Sequence, residues 1–103
     1  MNQTWHQVHS FNGDSSWIGG VRSVSVNMSR QIIACGSDDS TIKLWNLNNG
    51  QQLPYRFRHQ KSTRAITFNP RGDILISGSD DATIKVWNLE TSKELFTFNT
   101  HSK

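Results

Sequence analysis

The chain has 103 residues, which sets one small domain as the upper limit. Hydrophobic residues make up 34% of it and charged residues 18%, and four Trp and five Phe supply much of the apolar surface. The net charge of +3 is too small for a disordered polycation, and the longest apolar run, Ile32 to Cys35, is far too short to span a bilayer. One cysteine excludes an internal disulfide, and with no secretory signal at the start we expect a reducing, cytoplasmic location.

The first 19 residues are predicted to hold one strand, near residues 5–11, followed by a loop. From residue 20 onward the pattern is one of short strands joined by turns. In the first of these strands Val24 and Val26 alternate with polar neighbours, which is typical of a half-buried strand. Turn-forming residues then separate three further strands, predicted at 32–37, 41–46 and 51–57.

The same order of strands returns 42 residues later. The twelve residues from Gly36 to Leu47 reappear from Gly78 to Leu89 with only two substitutions. A repeat of this length indicates an array of similar structural units. Strands are predicted in the second unit around Ile66 and Phe68, and then at 74–79, 83–88 and 93–98. No segment shows a sustained helical period, so the sequence predicts an all-β protein.

Four strands every 42 residues, with a Trp near the end of the third, resemble the WD-repeat β-propeller family. Both units carry Trp-Asn, at Trp45 and Trp87, where the family's name-giving dipeptide is Trp-Asp. The resemblance implies two four-stranded antiparallel blades plus an orphan N-terminal strand, which together form an incomplete β-propeller. The expected divisions are 1–19 for the strand and loop, as the outer strand of a missing blade, 20–61 for the first blade and 62–103 for the second.

The resemblance also implies a structural hydrogen-bond relay in each blade, which joins a Trp, a Ser or Thr, a His and an Asp. A buried indole N–H needs an acceptor, and a His held between Ser and Asp can link such groups into one chain. The second unit supplies all four residue types, at Trp87, Ser77, His59 and Asp81.

The relay of the first unit is incomplete by comparison. Trp45 and Asp39 match two of its positions, and Cys35 replaces the Ser. The His position aligns with Trp17, or with Asp14 if the preceding loop is longer. We therefore expect the first blade to be looser than the second.

His59, Ser77 and Asp81 are also the residue types of a hydrolytic triad, so a hydrolase using His59 and Ser77 is one alternative. We favour a protein that is not an enzyme, because the resemblance assigns these residues to a buried relay and the sequence has no Gly-x-Ser-x-Gly motif. The acidic pairs Asp38-Asp39 and Asp80-Asp81 lack the further oxygen ligands of a calcium loop. We therefore predict no metal and no cofactor.

Charge is uneven only around the junction of the two units. From Gly50 to Gly72 there are five Lys or Arg and no acidic residue, and Tyr55 and Phe57 lie among them. This composition is typical of a single-stranded nucleic-acid contact, whose candidate basic patch would be Arg56, Arg58, Lys61 and Arg64. Charged outer strands are also a common protection against edge-to-edge pairing, which is the interpretation we favour.

Our leading hypothesis is a non-catalytic WD-repeat scaffold for protein–protein interaction. In the family, the partner usually binds the rim around the central channel, at residues that open the first strand and at those just before the relay Asp. The matching positions in this sequence are Arg22, Arg64, Asp38 and Asp80. The sequence predicts no membrane partner and does not identify the protein partner.

Two blades cannot close a ring that needs about four to eight. The chain is therefore either a fragment of a longer propeller or one of several copies that assemble into a ring. Because the strand near residues 5–11 is surplus to a simple ring of identical chains, we favour the fragment. In either case the open blade faces should expose apolar side chains, so self-association through those faces is a further prediction.

Overall fold

The computed structural model describes residues 20–100 and folds them into two four-stranded antiparallel sheets. Each strand pairs with its neighbour in sequence, and within this part of the chain there is no helix that could cross a membrane. The first sheet contains β1 (Val21–Asn27), β2 (Ile32–Ser37), β3 (Thr41–Asn46) and β4 (Phe57–Arg58), and the second contains β5 (Thr63–Phe68), β6 (Ile74–Ser79), β7 (Thr83–Asn88) and β8 (Lys93–Asn99). The all-β prediction with two four-stranded blades is confirmed, and the strand predicted near residues 5–11 lies outside the described residues.

The hydrophobic core lies between the two sheets. We call the side of the first sheet that packs on the second its inner face, and Ile42, Leu44 and Phe57 are at most 3% exposed there. The second sheet packs Leu75 and Trp87 against them, and the Phe57 and Trp87 rings stack with centroids 4.5 Å apart. Fully burying each such aliphatic or aromatic side chain contributes roughly 1.5–3 kcal/mol, so this joint is a main source of stability.

The opposite side of the second sheet, which we call its open face, is uncovered. Ile84 pairs with Phe98 as Ile42 pairs with Phe57, so the two pairs hold equivalent positions in the two repeats. Yet Ile84 is 37% and Phe98 53% exposed, whereas Ile42 and Phe57 are 2% and 3% exposed. Phe96, next to Phe98 on this face, is 59% exposed. The open face therefore has the composition of a buried surface without the neighbour that would bury it.

The valines of β1 are more exposed than their alternation predicts. Val24 and Val26 are 52% and 47% exposed, because they point away from the second sheet. Their neighbour Ser23 points towards it, and its Oγ accepts a hydrogen bond from the Ile66 N–H at 3.1 Å. Alternation thus predicts the strand correctly but not which side of it is covered.

The fourth strand of the first sheet is shorter than predicted. Instead of a strand at 51–57, β4 contains only Phe57 and Arg58, and a single bridge joins Gln52 to Trp45. Between the paired positions, five residue steps from Gln52 to Phe57 lie opposite three from Ile42 to Trp45, so the outer segment bulges. Pro54 lies in this bulge, and proline cannot donate a hydrogen bond to a neighbouring strand.

Polar contacts fasten the two sheets at one end, where the β1–β2 and β5–β6 turns lie. The Asn27 side-chain amide donates to the Gly72 carbonyl at 2.7 Å, and Arg30 pairs with Glu90 at 2.9 Å. Gly72 has a φ of 79°, and a Cβ there would lie 2.4 Å from the Asn27 amide nitrogen, so only glycine fits. The other end, which carries the β2–β3 and β6–β7 turns, we call the rim end.

Candidate functional site

A chain of hydrogen bonds crosses the second blade from β7 to the segment before β5. The Trp87 indole N–H donates to the Ser77 Oγ at 2.9 Å, and that Oγ lies 2.7 Å from the His59 Nε2. On the other side of the ring, the His59 Nδ1 lies 3.1 Å from the Asp81 carboxylate. The structure therefore brings His59, Ser77, Asp81 and Trp87 together in one connected relay.

The Asp81 carboxylate is held by several donors besides His59. The backbone N–H groups of Gln60 and Thr83 each donate to it at 2.9 Å, and the Thr83 hydroxyl donates as well. Burial alone would raise the pKa of Asp81, but these hydrogen bonds together lower it well below its usual range. The ionised carboxylate thus ties the segment at residues 59–60 to the β6–β7 turn.

The partners of His59 determine where its proton lies. A carboxylate can only accept, so the Nδ1 carries a hydrogen and donates it to Asp81. Burial lowers the pKa of His59 more than the Asp81 hydrogen bond raises it, so the ring is neutral at pH 7. The unprotonated Nε2 then accepts the Ser77 hydroxyl proton, which leaves the Ser77 oxygen free to accept from Trp87.

The same geometry disfavours the hydrolase alternative. The Ser77 side chain is 0% exposed and His59 is 2% exposed, so a substrate has no access to the Ser77 oxygen. That oxygen also accepts the Trp87 N–H at 2.9 Å. A nucleophile needs an open approach to its substrate, which this arrangement does not offer.

In the first blade, the residues at the relay positions make different contacts. The Asp39 carboxylate accepts from the Thr41 N–H at 3.0 Å and from the Thr41 hydroxyl at 2.6 Å, and so stabilises the β2–β3 turn. Trp45 is 4% exposed. Burial raises the pKa of the Cys35 thiol to about 11, so it stays protonated at pH 7. The two alternatives for the His position, Trp17 and Asp14, lie outside the described residues.

The four predicted rim residues form two ion pairs at the rim end. Arg22 pairs with Asp38, and Arg64 pairs with Asp80 at 2.9 Å between Nε and Oδ1. The Arg22 hydrogen bond lowers the pKa of Asp38, and the Asp80 hydrogen bond raises that of Arg64. Ser62 adds a bond between the blades, because its hydroxyl donates to Asp38 at 3.0 Å.

The four predicted patch cations do not form one continuous surface. Arg64 is paired with Asp80, and Lys61 lines a shallow cleft together with Asp80 and Asp81. Arg56 and Arg58 lie on the outer side of the first blade, where Arg58 contacts the Ser40 hydroxyl at 3.2 Å. The sequence places these cations near one another, but two of them lie beside carboxylates that the β6–β7 turn brings close.

Sequence reasoning missed the contacts of Thr83 and Tyr55. The Thr83 hydroxyl lies 3.1 Å from the His59 Nδ1, and a Thr two residues after the turn Asp in both repeats was a visible signal. The Tyr55 hydroxyl donates to the Leu89 carbonyl at 2.8 Å across the joint, and no sequence signal indicates this contact. Over residues 20–100, no cluster of His, Cys, Asp and Glu could hold a metal ion.

Two blades packed face to face, with one complete relay, define a β-propeller left open after its second blade. The model of the WD domain, G-beta repeat, matches residues 5–46 and 51–88, so the chain belongs to the WD-repeat family. A search of curated proteins gave no significant match. Among solved structures, the chain is similar to the computationally designed Ika4 protein, with a TM-score of 0.77 and 28% identity over 95% of this chain. It spans only 57% of that protein's chain.

Proposed function

We propose that the chain is a non-catalytic scaffold for protein–protein interaction, and that its partner binds at the rim end. Membership of the WD-repeat family supports this, because WD repeats generally serve as protein-interaction scaffolds. The observation that carries the proposal is the repeated Arg–Asp pair. Arg22 and Arg64 have side chains 44% and 52% exposed, so both guanidinium groups are accessible to a partner.

The two pairs together form a surface of alternating charge rather than a basic patch. Each arginine already has a carboxylate neighbour, so a binding protein would gain hydrogen bonds of fixed direction rather than a simple charge attraction. Arginine is enriched in protein interfaces for this reason, since its planar group presents several donors at once. The rim end therefore suits a folded protein surface or a loop with its own polar groups.

The test is the double variant Arg22→Glu and Arg64→Glu, compared with the original chain as bait in a cell extract. We expect proteins retained by the original chain to be lost from this variant, while circular dichroism shows both baits folded. The matched control is Arg71→Glu with Lys93→Glu, which makes the same charge change away from the rim end. If the rim variant retained the same proteins as the control, the rim would not be the partner surface.

A second role, self-association through the open face of the second blade, is favoured by the exposure of Phe96 and Phe98. We expect sedimentation velocity to show species larger than the monomer. Phe98→Ser should shift them towards the monomer, because it removes an apolar ring that is 53% exposed. Phe57→Ser would not serve as a control because Phe57 is buried in the core, so Met28→Ser, at a residue 65% exposed elsewhere, is the matched variant.

The size of the species in solution also distinguishes the two hypotheses for how the chain forms a propeller, as a fragment of a longer one or as one of several copies in a ring. A monomer favours a fragment of a longer propeller, whereas a trimer or tetramer of two-blade chains favours a closed ring of six or eight blades. Unchanged sedimentation of Phe98→Ser would contradict association through this face.

A further inference from the structure

The outer strand or segment of each blade carries a pair of neighbouring aromatic side chains. In the second blade Phe96 lies two residues before Phe98, and in the first blade Tyr55 lies two residues before Phe57. The ring centroids are 5.9 Å apart in the second blade and 5.1 Å apart in the first. Phe98 and Phe57 also pair with equivalent residues of the third strand of their blades. Both blades therefore present the same kind of aromatic surface to the layer that follows them.

In the first blade this aromatic pair is covered by the second blade. Phe57 is 3% exposed because its ring stacks on Trp87, and the Tyr55 hydroxyl donates to the Leu89 carbonyl. The covering surface is the side of the second sheet that faces the first, opposite to the open face. The joint thus pairs two different kinds of face, one that carries the aromatic pair and one that receives it.

The side of the first sheet that points away from the second has the pattern of a receiving face. Val24 and Val26, which we call the β1 patch, are 52% and 47% exposed there. Their counterparts 42 residues later are Ile66 and Phe68, which pack into the joint on its receiving side. The β1 patch and the open face therefore lie on opposite sides of the two-blade stack, and each matches one half of the joint.

We propose that the open face of one copy binds the β1 patch of a second copy, so that the chains associate head to tail. Head-to-tail contact rests on the self-association proposed above and identifies the surface that the second copy contributes. It removes both apolar surfaces from water with a single type of interface. A symmetric contact between two open faces would leave the β1 patch of both copies exposed, and it would pair two faces of the same kind, unlike the joint.

The contact between copies is expected to be weaker than the joint within the chain. Trp45, the counterpart of Trp87, is 4% exposed and so already covered, which confines the contact to the β1 part of this side. The pairing of Arg30 with Glu90 at 2.9 Å, which fastens the joint, has no equivalent between copies, because Asn48 stands 42 residues before Glu90. We therefore expect an association equilibrium that shifts with protein concentration.

The test is sedimentation velocity on two variants, first separately and then mixed. Phe98→Ser alters the open face only, and Val24→Thr with Val26→Thr alters the β1 patch only. Threonine keeps the branched shape that suits a strand. We expect the dissociation constant of each variant alone to rise at least about tenfold. The mixture should form one-to-one dimers and nothing larger, because only one intact open face and one intact β1 patch remain, and this recovery would also show that both variants are folded.

Two results would overturn head-to-tail association and leave self-association in place. The first is sedimentation of the β1-patch variant like the original chain, as symmetric contact between open faces would give. The second is a mixture that sediments as the sum of its two components. A chain that stays monomeric at every concentration would remove self-association as well. The control is Met28→Ser, at a residue 65% exposed in the β1–β2 turn, which should sediment like the original chain.

Discussion

Replacing His59 by alanine is expected to lower the free energy of unfolding by about 1–3 kcal/mol. The change leaves the Ser77 hydroxyl, which is 0% exposed, and the Asp81 carboxylate without their shared partner. Thermal and urea unfolding, followed by Trp fluorescence, measure the loss. Gln60→Ala is the matched control, because Gln60 is exposed and bonds to Asp81 only through its backbone. If His59→Ala unfolded like the Gln60 control, the relay would contribute nothing to stability.

The same pair of variants gives a pH test of the His59 proton. Burial holds the pKa of His59 below its ordinary value of 6.5 in the folded chain, even though Asp81 and Glu94 favour the charged ring and Lys85 opposes it. Below pH 6.5 the unfolded chain therefore binds a proton that the folded chain resists, so stability falls as the pH falls. His59→Ala should lack this loss of stability. If the free energy of unfolding depended on pH identically in His59→Ala and in Gln60→Ala, the assignment of a neutral His59 ring would be contradicted.

Asp81 causes a second loss of folding stability at lower pH. Its pKa lies below the ordinary 3.8 in the folded chain, so its contribution is present at neutral pH and disappears as the pH falls below about 4. This step should persist in Gln60→Ala.

Replacing Gly36 by alanine is the second change for which we expect a large effect, a destabilisation of about 1–3 kcal/mol. A Cβ at this position would lie 2.7 Å from the Thr63 Cγ2 and 3.2 Å from the Thr63 carbonyl oxygen. Thr63 is 0% exposed and its hydroxyl is bonded to the Ser40 carbonyl at 3.1 Å, so it cannot move aside easily. The two blades would have to separate slightly along their joint.

The repeat supplies its own matched control, Gly78→Ala. Gly78 is the counterpart of Gly36 in the second blade, and a Cβ there meets nothing within 4 Å. We expect this variant to match the original chain or exceed its stability by a few tenths of a kcal/mol, because alanine restricts the unfolded chain. Urea unfolding measures the stability of both variants. Equal destabilisation by Gly36→Ala and Gly78→Ala would show that the clash at the joint between the blades is not its cause.

The 42-residue repeat was enough to predict the all-β class and two four-stranded blades, because near-identical segments such as 36–47 and 78–89 fold alike. The outer strand of the first blade could not be predicted from the repeat. There the outer segment contains Pro54 and two residues more than the part of β3 that it lies opposite, whereas Lys93–Asn99 pairs along β7 with a single irregularity. Outer strands have one neighbour only, so their pairing is the least constrained in the blade.

In the candidate site, too, some features could be predicted from the sequence pattern and others depend on the three-dimensional structure. The relay residues could be named from their order along the chain, whereas the pairing of Arg64 with Asp80 depends on a β-hairpin bringing together residues 16 positions apart. That spacing recurs in Arg22 and Asp38, so the repeat contained the signal. The bulge of the outer segment between Gln52 and Phe57 had no such signal in the repeat, because it is an irregularity of strand pairing and not a motif.

The main hydrophobic cluster of the described residues lies at the joint between the sheets, with five buried side chains from the first sheet and four from the second. Each sheet is a single layer and cannot exclude water from its own apolar face, so neither repeat has an independent unfolding equilibrium. The two repeats should therefore behave as one cooperative unit despite their sequence similarity. A chain of this kind can lengthen by whole repeats, because each added blade covers the face left uncovered by the last and presents an equivalent face in turn.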